Sequence, residues 1–188
     1  LEQLGVKPIA SDLDRISKLA SVEEGMRFVA DLHRRGIGAL FDSAVAPDPK
    51  NSTVYALLFW QGGLGLPDRD YYLTDGFKAQ RDQYRRHVAA MLRLLGDGPA
   101  EADRAAEAIL ELETELARAS RTRTELRDDE KNYHKKTANQ LRTLTPSIPW
   151  DAYFDALGIQ PPADVIVGQP EFLEALDRLV RETEPETW

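Results

Sequence analysis

Cysteine is absent from the 188 residues of this chain, which excludes a disulfide framework, a thiolate metal site and a cysteine nucleophile. Long apolar runs are also missing: the longest, from Val54 to Trp60, spans seven residues, whereas a membrane-spanning helix needs about twenty. Basic residues are outnumbered, 24 against 32 acidic ones. The net charge of −8 therefore argues against nucleic acid as a partner.

Histidine is scarce, and its spacing does not suit a zinc peptidase. Such enzymes carry His-Glu-x-x-His, in which two imidazoles one helical turn apart reach a single metal ion. The three histidines are His33, His87 and His134, and none has another histidine four residues away. Convergence of these three from separate elements is the one histidine site that the sequence leaves open.

Carboxylates recur one helical turn apart at Glu107, Glu111 and Glu115, a spacing that helix bundles use to present ligands to a di-iron centre. Such centres pair a glutamate with a histidine three residues later, and no histidine of this chain follows a glutamate at that spacing. We therefore expect a solvated acidic face, partly neutralised by Arg104 and Arg118.

No local motif marks a catalytic residue. A Gly-x-Ser-x-Gly elbow is missing, and Gly63-x-Gly65 lacks the Gly-Lys-Ser/Thr that completes a phosphate-binding loop. His33 lies on the apolar stripe of its helix, so we expect it to be hydrogen-bonded to a carbonyl oxygen rather than to bind a metal. The sequence thus predicts no catalytic, cofactor-binding or metal-ligating residue within this chain.

Apolar periodicity predicts a mainly α fold. The first clear stripe belongs to a helix that ends near Gly36 and consists of Val22, Met26, Val29 and His33. A longer stripe further along consists of Phe77, Tyr84, Val88, Met91 and Leu95. The next consists of Ala102, Ala105, Ile109, Leu112, Leu116 and Ala119. Residues 96–99 interrupt these two stripes, so their helices should pack as an antiparallel helix hairpin.

One small β-hairpin is the other predicted element. Residues 39–46 and 53–60 are typical of strands, and they flank a cluster of turn formers, Pro47 to Ser52, that we expect to make a long loop. The second strand is apolar on both faces, which favours burial by the helices.

The last third of the chain begins with mixed charges. Residues 118–136 lose the apolar period, and we expect a solvated connecting segment there. Thr137 with Gln140 forms a capping box, and Pro149 opens a helix that runs to Gly158. Residues 165–167 predict a short strand. A final helix begins at Pro170, before an acidic tail that ends at Trp188.

The most distinctive stretch is residues 61–73, which we call the corner. Glycines at 62, 63 and 65 allow positive φ or the close approach of another segment, and the proline at 67 stops any strand. Two carboxylates, a guanidinium and two phenols follow at once: Asp68, Arg69, Asp70, Tyr71 and Tyr72. We expect one carboxylate to cap a short helix, the guanidinium to pair with a neighbouring carboxylate and the phenols to pack as amphipathic wedges.

The corner resembles the Gly-Leu-Pro-x-Arg-Asp-Tyr-Tyr signature in the N-terminal region of the neprilysin-like (M13) zinc metallopeptidases. The residues that carry this resemblance are Gly63, Gly65, Leu66, Pro67, Asp68, Arg69, Asp70, Tyr71 and Tyr72. Residues 110–117 resemble the family's glutamate-rich helix, and Asn132 to Thr137 resembles its Tyr-Asn-Lys-Met-Thr stretch. Residues 150–154 and 169–173 fit the same pattern, so the resemblance spans the chain.

The resemblance implies that residues 1–188 are a fragment of the N-terminal, non-zinc-binding lobe of a zinc metalloendopeptidase that cuts short peptides, with a sub-boundary near 61–74. Zinc, His-Glu-x-x-His and an Asn-Ala substrate-holding motif are expected in the missing catalytic half. None has a counterpart here, so we expect the isolated chain to be inactive. The implied partners are the catalytic lobe of the same polypeptide and the parent's short peptide substrates. The corner is then a structural element or the hinge of a substrate-gating lobe.

A second hypothesis is a freestanding helical protein-interaction domain without enzymatic activity, descended from such a lobe. Zinc-dependent activity of a longer parent would separate the two. The chain begins with Leu1 rather than methionine, so we expect it to belong to something longer. The resemblance also bears on the source: animal members of the family are rich in disulfides, so the lack of cysteine and the wealth of alanine and arginine suggest a bacterial parent. Because bacterial members are often exported, the resemblance implies the periplasm or the outside of the cell.

Overall fold

The computed structural model describes residues 5–183, which form eight α-helices and a four-stranded sheet. In chain order the elements are α1 (Ala10–Ile16), α2 (Val22–Arg34), β1 (Phe41–Asp48), β2 (Asn51–Gln61), α3 (Asp70–Leu73), α4 (Lys78–Leu95), α5 (Pro99–Ala119), β3 (His134–Thr137), α6 (Ala138–Leu144), α7 (Trp150–Leu157), β4 (Asp164–Val167) and α8 (Pro170–Glu182). The mainly α prediction is confirmed. The predicted acidic tail that ends at Trp188 lies largely outside the described residues.

The sheet has the strand order β1-β2-β4-β3, so it joins the predicted hairpin to the predicted short strand at residues 165–167 and adds β3, which the sequence did not predict. β1 and β2 pair antiparallel, and β3 pairs antiparallel with β4. β2 and β4 pair in parallel, with Leu57 opposite Val165. The chain therefore returns to the hairpin only after it has formed α3 to α7.

The hairpin turn is shorter than predicted. Only Pro49 and Lys50 lie between the strands, because the carboxylate of Asp48 accepts the Lys50 amide at 2.8 Å and closes the turn. The expectation that helices cover the second strand was wrong for its first half. Val54 and Tyr55 are exposed, and burial begins at Leu57.

The charged segment 118–136 is not simply a solvated connection. β3 begins at His134 and completes the sheet, and the guanidinium of Arg121 donates to Glu171 and to the carbonyl oxygen of Lys131, both at 2.5 Å. Strand formation was missed because the strand carries lysines and no apolar alternation. The capping box at Thr137 is confirmed.

Aromatic rings from β1, β2 and α7 form the centre of the core, on the face of the sheet that also meets α2. The rings are Phe41, Phe59, Trp150, Tyr153 and Phe154, with neighbouring centroids 4.9 to 6.2 Å apart. α2 contributes Met26 and Val29 to this core, whereas Val22 of the predicted stripe is 41% exposed at the first turn.

α4 and α5 run in opposite directions, since Arg93 pairs with Asp103 at 2.6 Å near the turn and Arg85 pairs with Glu107 at 3.4 Å further away. Their seam is made of small residues: Ala89, Ala102 and Ala106. The predicted α4 stripe is wrong at its end, where Met91 and Leu95 are exposed, because the alanine seam turns those larger side chains outwards. No helix in residues 5–183 combines the length and apolarity needed to cross a bilayer.

Candidate functional site

The corner begins where β2 ends, and Gln61 fixes it to two other segments. The side-chain amide of Gln61 donates to the carbonyl oxygen of Arg121 at 3.0 Å and accepts the Arg121 amide at 2.6 Å, as a strand partner would. The backbone amide of Gln61 donates to the buried side chain of Gln169, directly before α8, at 2.9 Å. The start of the corner is therefore joined to the residues that follow α5 and precede α8.

Position 63 requires glycine, because neither its backbone conformation nor its surroundings accommodate a side chain. Its φ is +73°, a conformation that costs L-residues free energy, and a Cβ there would lie 2.8 Å from the carbonyl oxygen of Leu40. Leu40 itself has φ of +60°, unusual for a residue with a side chain. The two left-handed residues touch where β1 begins and β2 ends, so the corner lies against the backbone of the other hairpin strand.

A half-buried carboxylate, Glu113 of α5, holds the middle of the corner. The hydroxyls of Tyr72 and Tyr84 each donate to one of its oxygens at 2.8 Å, so α3 and α4 are both tied to α5. The Tyr72 hydroxyl also accepts the Leu66 amide at 2.8 Å. A Cβ on Gly65 would overlap the Tyr84 hydroxyl, so glycine is what admits this phenol. We call Tyr72, Tyr84 and Glu113 the carboxylate–phenol cluster.

Burial governs the electrostatics of this cluster. It raises the pKa of Glu113, although the two phenol hydrogen bonds act in the opposite direction. Burial also raises the pKa of Tyr72 and of Tyr84, and the neighbouring carboxylate adds to both effects. The phenols therefore remain protonated donors at every physiological pH.

The rest of the corner is held by single contacts. Asp68 accepts the Asp70 amide at 2.8 Å and pairs with Arg123 at 2.6 Å. Arg69 donates to the carbonyl oxygen of Ser120 at 2.8 Å, so the expectation that it pairs with a carboxylate was wrong. Tyr71 stacks on Phe77 with centroids 4.2 Å apart, which agrees with the expected wedge.

The three histidines lie on α2, α4 and β3. His33 Nε2 lies 3.1 Å from the carbonyl oxygen of Ala39, the predicted carbonyl bond, and Nδ1 lies 2.7 Å from the Tyr153 hydroxyl and 3.1 Å from that of Ser43. His134 Nδ1 lies 3.0 Å from the carbonyl oxygen of Val167. Within residues 5–183, no three histidine, aspartate or glutamate side chains come together as metal ligands. The described residues thus offer no fit for zinc.

The glutamate row of α5 is largely an ion-paired surface. Glu115 pairs with Arg118 at 3.1 Å as predicted, and with Arg178 at 3.9 Å. Glu107 pairs with Arg85 of α4 rather than with the predicted Arg104. The important carboxylate is instead Glu113, which the sequence reasoning missed. Its signal was present, since it lies three residues before Leu116 on the inner side of α5 and within the stretch that carries the family resemblance.

His33 should make the stability of the fold depend on pH. Burial lowers its pKa below the ordinary 6.5, while the Ala39 carbonyl and the nearby Asp42 oppose the shift; the adjacent Tyr153 has its pKa raised by burial to about 12 and stays neutral. The contribution of neutral His33 to the free energy of unfolding is fully present above pH 6.5. It is lost as the pH falls below that value, because the unfolded state then binds more protons than the folded state.

We expect His33→Gln to flatten this dependence. In the wild type the melting temperature should fall between pH 7.5 and 5.5, whereas in the variant, which starts lower, it should fall less. His87→Gln, at an exposed position of α4, is the matched control and should leave the pH profile unchanged. If the melting temperature changes with pH equally in the wild type and in His33→Gln, the pH dependence of stability belongs to groups other than His33.

The comparison with known families covers the chain from end to end. The model described as "Peptidase family M13", for the N-terminal part of that family, matches residues 1–188. The chain belongs to this family. It corresponds to the N-terminal region of the neprilysin-like zinc metallopeptidases, which confirms the resemblance carried by the corner.

Individual M13 relatives agree in sequence. Human endothelin-converting enzyme 1 is 30% identical over 201 residues, which cover 98% of this chain and 26% of that protein. Endothelin-converting enzyme 1 of Cavia porcellus is 36% identical over 151 residues, or 77% of this chain and 20% of that protein. The chain thus spans about a quarter of the length of the curated relatives it matches.

Solved M13 structures agree in fold. Mycobacterium tuberculosis zinc metalloprotease Zmp1 in complex with an inhibitor matches all of this chain with a TM-score of 0.94 and 32% identity, over 29% of its own length. Zmp1 in its open state gives the same values. A partially open state of Zmp1 gives a TM-score of 0.79 over 28% of its length.

Proposed function

We propose that this chain is part of the helical, substrate-gating lobe of a zinc metalloendopeptidase that acts on short peptides. The observation that carries the proposal is the match to Zmp1 over the whole chain but only 29% of that zinc metalloprotease. The zinc ion, its ligands and the general base then belong to the part of the parent outside residues 1–188. In this view the chain binds no metal and supplies no catalytic residue, and it instead forms a rigid part of the wall of the substrate cavity.

The parent's coding region provides the first test. We expect His-Glu-x-x-His in frame downstream of Trp188, and zinc-dependent hydrolysis of peptides by the purified parent that stops on chelation and returns with zinc. If the lobe limits access to the active site, the rate of hydrolysis should fall as the substrate becomes longer. The assay uses a series of peptides that share one scissile sequence and differ in the length of the flanking residues. A frame that closes soon after Trp188, with no hydrolysis, would favour the freestanding interaction domain.

We further propose that the corner is a structural clamp rather than the hinge. The inhibitor complex and the open state of Zmp1 both match the whole chain with a TM-score of 0.94, but the partially open state matches it at only 0.79, so the proposal rests on the contacts of the corner itself. The contacts of the corner give a physical reason, since it is bonded to β1, α4, α5 and the segment before α8. A hinge needs backbone that can change φ and ψ freely, and Gly63 is pressed against Leu40.

Cross-linking can separate clamp from hinge. Asp68 and Arg123, which form an ion pair between the corner and the residues after α5, are both changed to cysteine in a parent that carries no other cysteine, and a short bismaleimide joins them. If the corner is a clamp, the linked protein keeps the turnover of the unlinked one. If it is a hinge, linking slows turnover while the unlinked double variant stays active, and the clamp proposal fails.

A further inference from the structure

The core face of the sheet extends beyond the helices that cover it. On one face of the hairpin, Phe59, Leu57 and Tyr55 follow each other along β2, and Val45 and Pro47 lie opposite the last two. Phe59 is fully buried and Leu57 is 7% exposed, both within the main core, whereas Tyr55 is 73% and Val45 66% exposed. An apolar row that begins in the core therefore ends in solvent.

The same end of the hairpin has an unprotected edge. β1 is an outer strand of the sheet, and residues 43–47 carry no charge; residues 53–56 of β2 carry none either. Proteins usually guard exposed edges with charged side chains or cover them, because unpaired strands invite association. Pro47 interrupts only the last part of this edge. We call residues 43–47 and 53–56 the hairpin surface.

We infer that the hairpin surface is an internal interface of the parent, covered by an apolar part of the same polypeptide that lies outside residues 1–188. The inference rests on the proposed function only in placing this chain within a longer protein. The chain matches only 29% of the length of Zmp1. A protein of that architecture therefore has ample further sequence to cover the exposed apolar row. The lack of charge in residues 43–47 and 53–56 fits a permanent apolar contact better than a reversible partner.

Photo-cross-linking in the intact parent tests the inference. A photoreactive phenylalanine analogue replaces Tyr55, and in a control sample it replaces Lys131, whose side chain is 75% exposed. We expect position 55 to give a cross-link within the monomer, to a residue outside 1–188, and position 131 to give far less product. Dimer-sized products from position 55 would assign the surface to a second copy, and a yield no higher than the control's would mean that it is solvent-exposed; either result overturns the inference.

Footprinting of the unaltered parent guards against misfolding of the labelled protein. Hydroxyl radicals should oxidise Tyr55 several-fold more slowly in the native parent than in the denatured one, at a rate independent of protein concentration. Free oxidation of Tyr55 in a parent that still hydrolyses peptides would overturn this inference alone. Absence of hydrolysis together with a protected Tyr55 would overturn the proposed function and leave the interface standing.

Discussion

Gly63→Ala is expected to destabilise this lobe by about 2–4 kcal/mol, because the left-handed backbone costs an L-residue roughly 1–2 kcal/mol and a Cβ meets a carbonyl oxygen that is not free to move. That oxygen belongs to Leu40, 2.8 Å from the added atom, and Leu40 is itself left-handed. In a lobe of this size the loss corresponds to a fall of the melting temperature on the order of 10 °C. Calorimetry of the parent would measure it as a shift of the transition that unfolds this lobe.

Gly76→Ala is the matched control for this substitution. A Cβ at Gly76 meets nothing within 4 Å, and its φ lies outside the left-handed region. We expect a change within about 0.5 kcal/mol there. Equal losses of stability for Gly63→Ala and Gly76→Ala would show that the backbone at Leu40 can move away from the added Cβ without a loss of free energy. The corner would then be more deformable than its geometry indicates.

Glu113→Ala is expected to cost about 2–5 kcal/mol, since it leaves two partly buried phenol hydroxyls without their acceptor and opens a cavity between α3, α4 and α5. The hydroxyls are those of Tyr72 and Tyr84, each 2.8 Å from the carboxylate. Removing both acceptor oxygens should also loosen α4, which hydrogen exchange along that helix would detect. Glu111→Ala, at an exposed position two residues away on the same helix, should change stability little and is the control.

Glu113→Gln separates charge from hydrogen bonding. Burial raises the pKa of Glu113 above its ordinary value of 4.5. Its contribution to the free energy of unfolding is therefore fully present below pH 4.5 and is lost as the pH rises through the raised pKa. The glutamine variant keeps one acceptor and has no charge to desolvate. We therefore expect its stability relative to wild type to improve from pH 4 to pH 7. A relative stability that instead declines over this range would show that the phenols favour the charged form more than burial opposes it.

Secondary structure was predictable where the chain has strong local signals. Gly96 and Gly158 end helices in the left-handed conformation, Pro170 begins one, and the run at residues 165–167 is a strand because it is short and apolar on both faces. Such signals act within a few residues and need no knowledge of the tertiary fold. The family resemblance likewise depended on consecutive residues of the corner, and it was confirmed.

Features that depend on distant partners were not predictable. β3 is a strand because β4 offers it backbone groups, not because of its own lysine-rich sequence. Glu113 looks like one more member of an acidic helix until Tyr72 and Tyr84 arrive from other elements. Arg69 finds a carbonyl oxygen instead of a carboxylate for the same reason. Local sequence does not state which groups a fold will bring together.

The parallel pairing of β2 with β4 also dictates the order in which the lobe can assemble during synthesis. The bond from the Gln61 amide to Gln169 joins residues 108 positions apart, so the sheet stays incomplete until the ribosome has produced almost the whole lobe. α4 and α5, by contrast, are neighbours in sequence and can associate as soon as they emerge. Until α7 and β4 arrive, Phe59 lacks the aromatic rings of α7 that pack on it and its strand lacks its parallel neighbour. During this interval the nascent chain is most exposed to aggregation.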